Sequence, residues 1–337
     1  MEDLGLAVAV ALAFAFALTN GFHDASNAIA TLVATRAARP IQAIVLATVF
    51  NMLGPLLVGA AVANTIAKIA DVPDDQMVGV VGSGLVGATA WNLLTWWRGL
   101  PSSSGHALVG GLVGAALLEG GMDAVNWGGF DGWHPVGVLG TLVALAVSPA
   151  IGALGAFLAL RVLRRALRRA SAHVRAPVNA GQWVTSAALA FSHGANDAQK
   201  AVGVIAALLL ASGRTDTLTS PTWATVGCAA TLTVGTALGG WKIVKTIGQR
   251  IFRLRPLDGL SSQTSSAAVI LAASFLGAPV STTHIVASSV VGIGGGRRRW
   301  RHVHWAIVKD MAIAWLTTIP ASAAIAGVTY ALWRWVA

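Results

Sequence analysis

Gly21-Phe22-His23-Asp24-Ala25-Ser26-Asn27-Ala28-Ile29 is echoed later in the chain by Gly194-Ala195-Asn196-Asp197-Ala198-Gln199-Lys200-Ala201-Val202. A second pair matches at nearly the same shift: Pro101-Ser102-Ser103-Ser104-Gly105-His106 and Pro279-Val280-Ser281-Thr282-Thr283-His284. Two matches in the same order mark an internal duplication. The chain then reads as a first repeat, 1–160, a basic linker, 161–177, and a second repeat, 178–337.

The polar motifs lie in an apolar background. Of 337 residues, 55% are hydrophobic and 11% charged, against about 25% charged in soluble domains. The runs 4–19, 43–63, 136–160 and 224–240 are nearly free of charge, and each approaches the ~20 residues that cross a hydrocarbon core as a helix. Their Ala, Gly, Val and Leu content points to helices, which satisfy their own backbone in lipid. The fold class is therefore an all-α integral membrane protein. Met1, Glu2 and Asp3 are not the basic start of a signal peptide, so the segment from Leu4 is expected to remain as a membrane helix. One cysteine, Cys228, allows neither an intrachain disulfide nor a CxxC site.

In the first repeat the pattern predicts a long helix over 4–31 interrupted at Asn20-Gly21, a span over 41–63, a helical hairpin over 78–118 with its tip at 99–101, and a last span over 136–160. The second repeat has its interruption at His193-Gly194. Each repeat crosses an odd net number of times, so the second copy is inverted. Most of the 23 Lys and Arg then fall on one side, in clusters such as Arg161, Arg164, Arg165, Arg168 and Arg169, or Arg297, Arg298, Arg299 and Arg301. The opposite loops carry Asp71, Asp74, Asp75, Glu119, Asp123, Asp131 and Asp216. The positive-inside rule puts the linker in the cytoplasm and the N-terminus outside. The net charge of +10 is thus no nucleic-acid surface, because its clusters alternate with apolar spans; they suit anionic lipid headgroups.

Inverted repeats with interrupted helices place a transport site near the midplane. At the tips, proline suits a first helical turn, Ser and Thr can cap free amides, and the helix start attracts anions. Facing each other, Ser103, Ser104, Gly105, Ser281, Thr282 and Thr283 could surround a tetrahedral oxyanion with neutral donors, which also let it leave. A plain helix cap is the alternative. Asp24 and Asp197 are costly in a bilayer and so point to function: sodium binding or proton carriage, or simply capping a broken helix. Lys200 stands where the first repeat has Asn27. Its ammonium could replace a bound cation, contact the anion, in which case it joins the anion-binding set, or pair with Asp197. His23, His106, His193 and His284 could move protons or only make structural hydrogen bonds. Arg98 reads as a snorkelling side chain. Gly110 and Gly114 form a GxxxG helix-packing pattern. No Walker A sequence is present, which argues against an ATP-driven pump; no nucleophile is paired with a base, which argues against an enzyme.

The four motifs, Gly21 to Thr31, Gly194 to Asp197, Pro101 to His106 and Pro279 to His284, resemble the signatures of the inorganic phosphate transporter (PiT) family, and its bacterial low-affinity permease branch in particular. The resemblance covers nearly the whole chain. It implies a homodimeric symporter of the bacterial inner (plasma) membrane that imports inorganic phosphate by alternating access, with a scaffold part, a moving part and no resident cofactor. It implies that Asp24, Asn27, Asn196 and Asp197 bind coupling cations, with Asp24 and Asp197 as the metal ligands if the ion is Na+, and that Ser103, Ser104, Ser281, Thr282 and Thr283 hold phosphate. Many members carry Asn at the Lys200 position. Gln199-Lys200 resembles a branch described as H+-coupled, carrying phosphate as a neutral metal complex, so Mg2+ joins the expected ions. A permease for sulfate or another oxyanion and an anion channel are the competing expectations.

Overall fold

Long apolar runs with few turn residues give a molecule that is nearly all helix. The computed structural model describes residues 2–131, 134–169 and 174–336. The first half contains α1 (Glu2–Ala34), α2 (Pro40–Leu57), α3 (Ala61–Ile66), α4 (Asp74–Arg98), α5 (Ser104–Gly120) and α6 (Gly137–Ala166). The second contains α7 (Arg175–Ala211), α8 (Thr222–Leu238), α9 (Trp241–Lys245) with a π-helical turn (Thr246–Arg250), α10 (Pro256–Phe275), α11 (Thr282–Gly296) and α12 (Trp305–Val336). A small antiparallel hairpin, β1 (Gly129–Asp131) and β2 (His134–Val136), precedes α6. Each half thus runs long helix, medium helix, short helix, helical hairpin, long helix.

Among the described residues, six helices are long and apolar enough to cross a membrane: α1, α2, α4, α5, α6 and α12. The 33 residues of α1 rise about 50 Å, more than a ~30 Å hydrocarbon core. α6 and α12 leave apolar faces uncovered, including Leu154, Leu158 and Val162 on one and Leu316, Val328 and Leu332 on the other. Such faces suit lipid. α7 is as long as α1 but buries Gln199, Lys200 and Asp197 within its second half, so its sequence has no comparably apolar window.

Packing exchanges partners between the halves. α1 lies along α8 while α7 lies along α2; α5 packs on α12 while α11 packs on α6. Small residues mark the crossings. A Cβ on Gly21 would fall 2.1 Å from the Leu232 carbonyl oxygen, and one on Gly194 would fall 2.2 Å from that of Asn51. These contacts correct the expected interruptions. Both α1 and α7 run as unbroken α-helices through Asn20-Gly21 and His193-Gly194. The glycines let a neighbouring backbone approach; they do not break the helix. The GxxxG pair acts in the same way, as a Cβ on Gly110 or Gly114 would clash with the α12 backbone.

Two further boundaries differ from expectation. The span over 41–63 ends at Leu57, where Val58 turns extended, and resumes as the separate α3. Helix also enters both ends of the 161–177 linker, because α6 continues to Ala166 and α7 starts at Arg175; residues 170–173 lie outside the described residues.

The interior is two apolar cores with a polar layer between them. One core includes Ala13, Phe16 and Ala17 of α1 and Val202, Val204 and Ile205 of α7. The other includes Ala28, Ile29 and Leu32 of α1 and Leu189 and Ala190 of α7. On both helices the duplicated motifs fill the gap between the cores.

Candidate functional site

α1 and α7 bring the two motifs together in this layer. One ligand atom from each of Asp24, His193 and Asp197 lies within 4.8 Å of the others. Both aspartates are 1% exposed. Two carboxylates this close, and away from water, need hydrogen bonds or positive charge around them.

The hairpin tips close the layer from two directions. α4 ends at Gly99 (φ 68°) and α10 just before Gly277 (φ 69°), both in the left-handed region that glycine adopts without steric cost. Ser103 and Ser281 then cap α5 and α11. The Ser103 hydroxyl accepts from the backbone N–H of His106, and that of Ser281 from the N–H of His284, both at 3.2 Å. Pro101 and Pro279 therefore stand ahead of the caps and outside the first helical turn where they were expected. The extended serines start each helix later and leave the prolines in the tip strand.

The aspartates take their hydrogen bonds from these tips. Thr283 donates to Asp24 Oδ1 and Thr282 to Asp197 Oδ2, each at 2.8 Å. Asn27 Nδ2 lies 3.0 Å from Thr283 Oγ1 and 3.3 Å from Thr282 Oγ1. A continuous chain results: Asp24, Thr283, Asn27, Thr282, Asp197. Ser104 Oγ sits 2.8 Å from both Asp24 Oδ2 and Asn20 Oδ1, with one proton to give. The Lys200 ammonium pairs with Asp197 Oδ1 and donates to the Val280 carbonyl at 3.2 Å. The layer thus sets two carboxyl side chains against one lysine. Its donor set, hard oxygens and one imidazole, fits a small hard cation.

Not every expected residue joins the cluster. The hydroxyls of Ser103 and Ser281 face their own helix amides. Asn196 turns to Ser274 Oγ (3.2 Å) and the Ala278 carbonyl (3.3 Å), away from the carboxylates. Gly105 contributes space: a Cβ there would fall 3.2 Å from Lys200 Nζ. Among the described residues, the buried Oδ1 atoms of Asn27 and Asn196 accept no hydrogen bond, so their lone pairs remain free.

Two histidines enter directly. His23 Nδ1 lies 2.8 Å from Asp24 Oδ1, and its Nε2 reaches Thr95 Oγ1 (3.1 Å) and Ser102 Oγ (3.2 Å). His193 Nε2 lies 2.9 Å from Asp197 Oδ2, with Nδ1 3.0 Å from Asn51 Oδ1. His106 and His284 touch each other instead, with ring centroids 4.7 Å apart. Residues without a sequence signal hold the tips in place. Thr246 Oγ1 is 3.1 Å from the Gly99 carbonyl, and Thr65 Oγ1 is 2.8 Å from that of Gly277. Lys242 donates to the Trp97 carbonyl and Trp315 to that of Pro101, both at 2.8 Å. In each half the tip is held from the other half.

Comparison with known proteins identifies the family. Residues 20–326 match the model of the phosphate transporter family. The chain is 40% identical over 317 residues to a probable low-affinity inorganic phosphate transporter of Bacillus subtilis, covering 92% of each. It is 39% identical over 313 residues to one of Rhizobium meliloti, covering 92% of this chain and 91% of that protein. A solved structure described as the sodium-dependent phosphate transporter superposes with a TM-score of 0.87 at 26% identity, covering 99% of this chain and 100% of the other. These relatives are transporters and not enzymes. Duplicated tips, paired aspartates and a match over nearly the whole length lead to one conclusion: the chain is a multi-pass membrane protein that belongs to the phosphate transporter family.

Proposed function

We propose that the protein imports inorganic phosphate as a cation-coupled symporter of the bacterial inner membrane, with the N-terminus outside and the basic 161–177 segment cytoplasmic. The observation that carries the reading is the chain of contacts from Asp24 through Thr283, Asn27 and Thr282 to Asp197. A hydroxyl has one proton. Thr282 and Thr283 can give theirs to a carboxylate or to phosphate, but not to both. A cation on the carboxylate, sodium or a proton, lowers its demand for donors and frees the hydroxyls to turn to the anion. Cation and phosphate then bind together or poorly, which is what coupled transport needs. Ser104 and the amides at the starts of α5 and α11 complete the phosphate set, while Asp24, Asn27 and Asp197 supply the cation ligands. Exchange of tip contacts between the halves supports an inverted repeat that alternates access, and the uncovered faces of the long helices leave room for a homodimer.

The test is labelled phosphate uptake into proteoliposomes under a sodium gradient or a proton gradient. Accumulation above the external concentration under one of them is expected, with or without Mg2+ as companion. Equal uptake without any gradient, or current without accumulation, would replace the symporter with a channel. Sulfate outcompeting phosphate would replace the substrate.

A further inference from the structure

Among the differences between the two halves of the polar layer, two fall together beside Asp197. At Asp24 the bonding partners are Thr283, Ser104 and His23, with no lysine or arginine among them. The threonine is the second half's tip residue. By the duplication, the residue that should face Asp197 in the same way is Gly105, which has no hydroxyl. The side chain that corresponds to Asn27 is Lys200. Its ammonium passes beside Gly105, where a Cβ would lie 3.2 Å from Nζ, and takes the free bonding position on Asp197 together with the Val280 carbonyl. A carboxylate oxygen and a tip carbonyl are ligands that a bare alkali cation would use. Lys200 is 1% exposed, among the largest fully buried side chains in the molecule. Such a charge is held in place by its partner, since unpairing it inside the protein is strongly unfavourable. Asn27 has no such charge, and its Oδ1 remains without a hydrogen bond among the described residues.

We infer that the Lys200 ammonium is a built-in cation of the Asp197 side, standing where the Asp24 side takes an exchangeable cation from solution, so that one cation fewer is loaded here than in the same site with asparagine at position 200. Gly105 is its counterpart, the missing side chain that makes room. The inference rests on the cation-coupled reading and specifies which carboxylate is reloaded in each cycle. It also takes Lys200 out of the set that grips phosphate, because the ammonium is already committed to Asp197 and Val280.

Sodium-22 binding to purified full-length protein in phosphate-free detergent solution tests it, with thermal melting to verify folding. Lys200→Asn is expected to bind one more sodium ion per chain than the unaltered protein. In proteoliposomes its phosphate uptake should be lost in sodium-free medium and return as sodium is added. A folded Lys200→Asn protein with an unchanged sodium count overturns the inference, and so does loss of phosphate binding that sodium does not restore, which would make the lysine an anion contact. If the variant does not fold, the site with Lys200 in place decides: one sodium ion removed by Asp24→Asn supports the inference, and none or two removed overturns it. Failure of the symporter reading would look different, as unaltered protein that accumulates no phosphate under either gradient while its sodium count still distinguishes the two sites.

Discussion

Replacing Thr283 by valine keeps the shape of the side chain and removes one donor from the chain of contacts at Asp24. A hydrogen bond to a charged group contributes about 1.5–3 kcal/mol, so the phosphate KM should rise roughly tenfold to a hundredfold with folding intact. Initial uptake rates against phosphate concentration would read this out; an unchanged KM would mean that the tip hydroxyls do not hold the anion. Asp24→Asn should abolish gradient-driven uptake while leaving a folded protein, since the amide keeps the size of the acid and loses its charge. The aspartates and tip hydroxyls were legible in the sequence because they are duplicated and because a carboxylate is out of place in an apolar run. His23 and His193 lack that duplication. His23 aligns with Asn196, and His193 with Asn20, so the duplication gave no hint that each aspartate has an imidazole beside it. Only the fold brings His193 to Asp197 one helical turn away, and His23 to Asp24 from the adjacent position.

At the scale of elements, lengths and hairpins followed from apolar runs and the Gly-x-Pro tips, whereas continuity through the motifs did not. A glycine inside a helix can mark a break or a close crossing, and the sequence carries no record of which helix lies opposite. Gly21→Leu separates the two readings. At a break the larger side chain would be tolerated; at the observed crossing it must displace the α8 backbone at Leu232. Overpacking of this kind costs about 1–3 kcal/mol or more, so melting in detergent should shift downward. The second hairpin offers another test. Asp258 opens α10, accepts from the Arg255 N–H at 2.8 Å and is paired with Arg297 after α11 at 2.7 Å. Arg297→Ala leaves a buried carboxylate unpaired and should destabilise the protein by about 3 kcal/mol. Arg297→Lys should recover part of that, as a charge without the planar fork.

Across the whole molecule, each tip is held by a threonine from the opposite half: Thr246 at Gly99, Thr65 at Gly277. If access alternates, these bonds loosen at different stages of the cycle. Thr65→Val and Thr246→Val should therefore shift the exposure of the layer in opposite directions, each about fivefold for a bond of about 1 kcal/mol. Labelling of a cysteine introduced beside each tip would measure the shift; the native Cys228 is buried and will not compete. Shifts in the same direction would show that the two latches are not alternating gates. Nothing in the sequence marked either threonine, because a latch is defined by what it reaches and these reach across the duplication.

The exchanged packing of α1 on α8, α7 on α2, α5 on α12 and α11 on α6 has an evolutionary meaning. A chain of half this length could cover those faces only by pairing with a copy of itself, and every residue would then occur twice. No mutation in such a pair could alter one carboxylate's surroundings and spare the other's. Joining the copies in one reading frame removes that restriction. Lys200 opposite Asn27 and Gly105 opposite Thr283 are differences that two identical half-length copies could not carry.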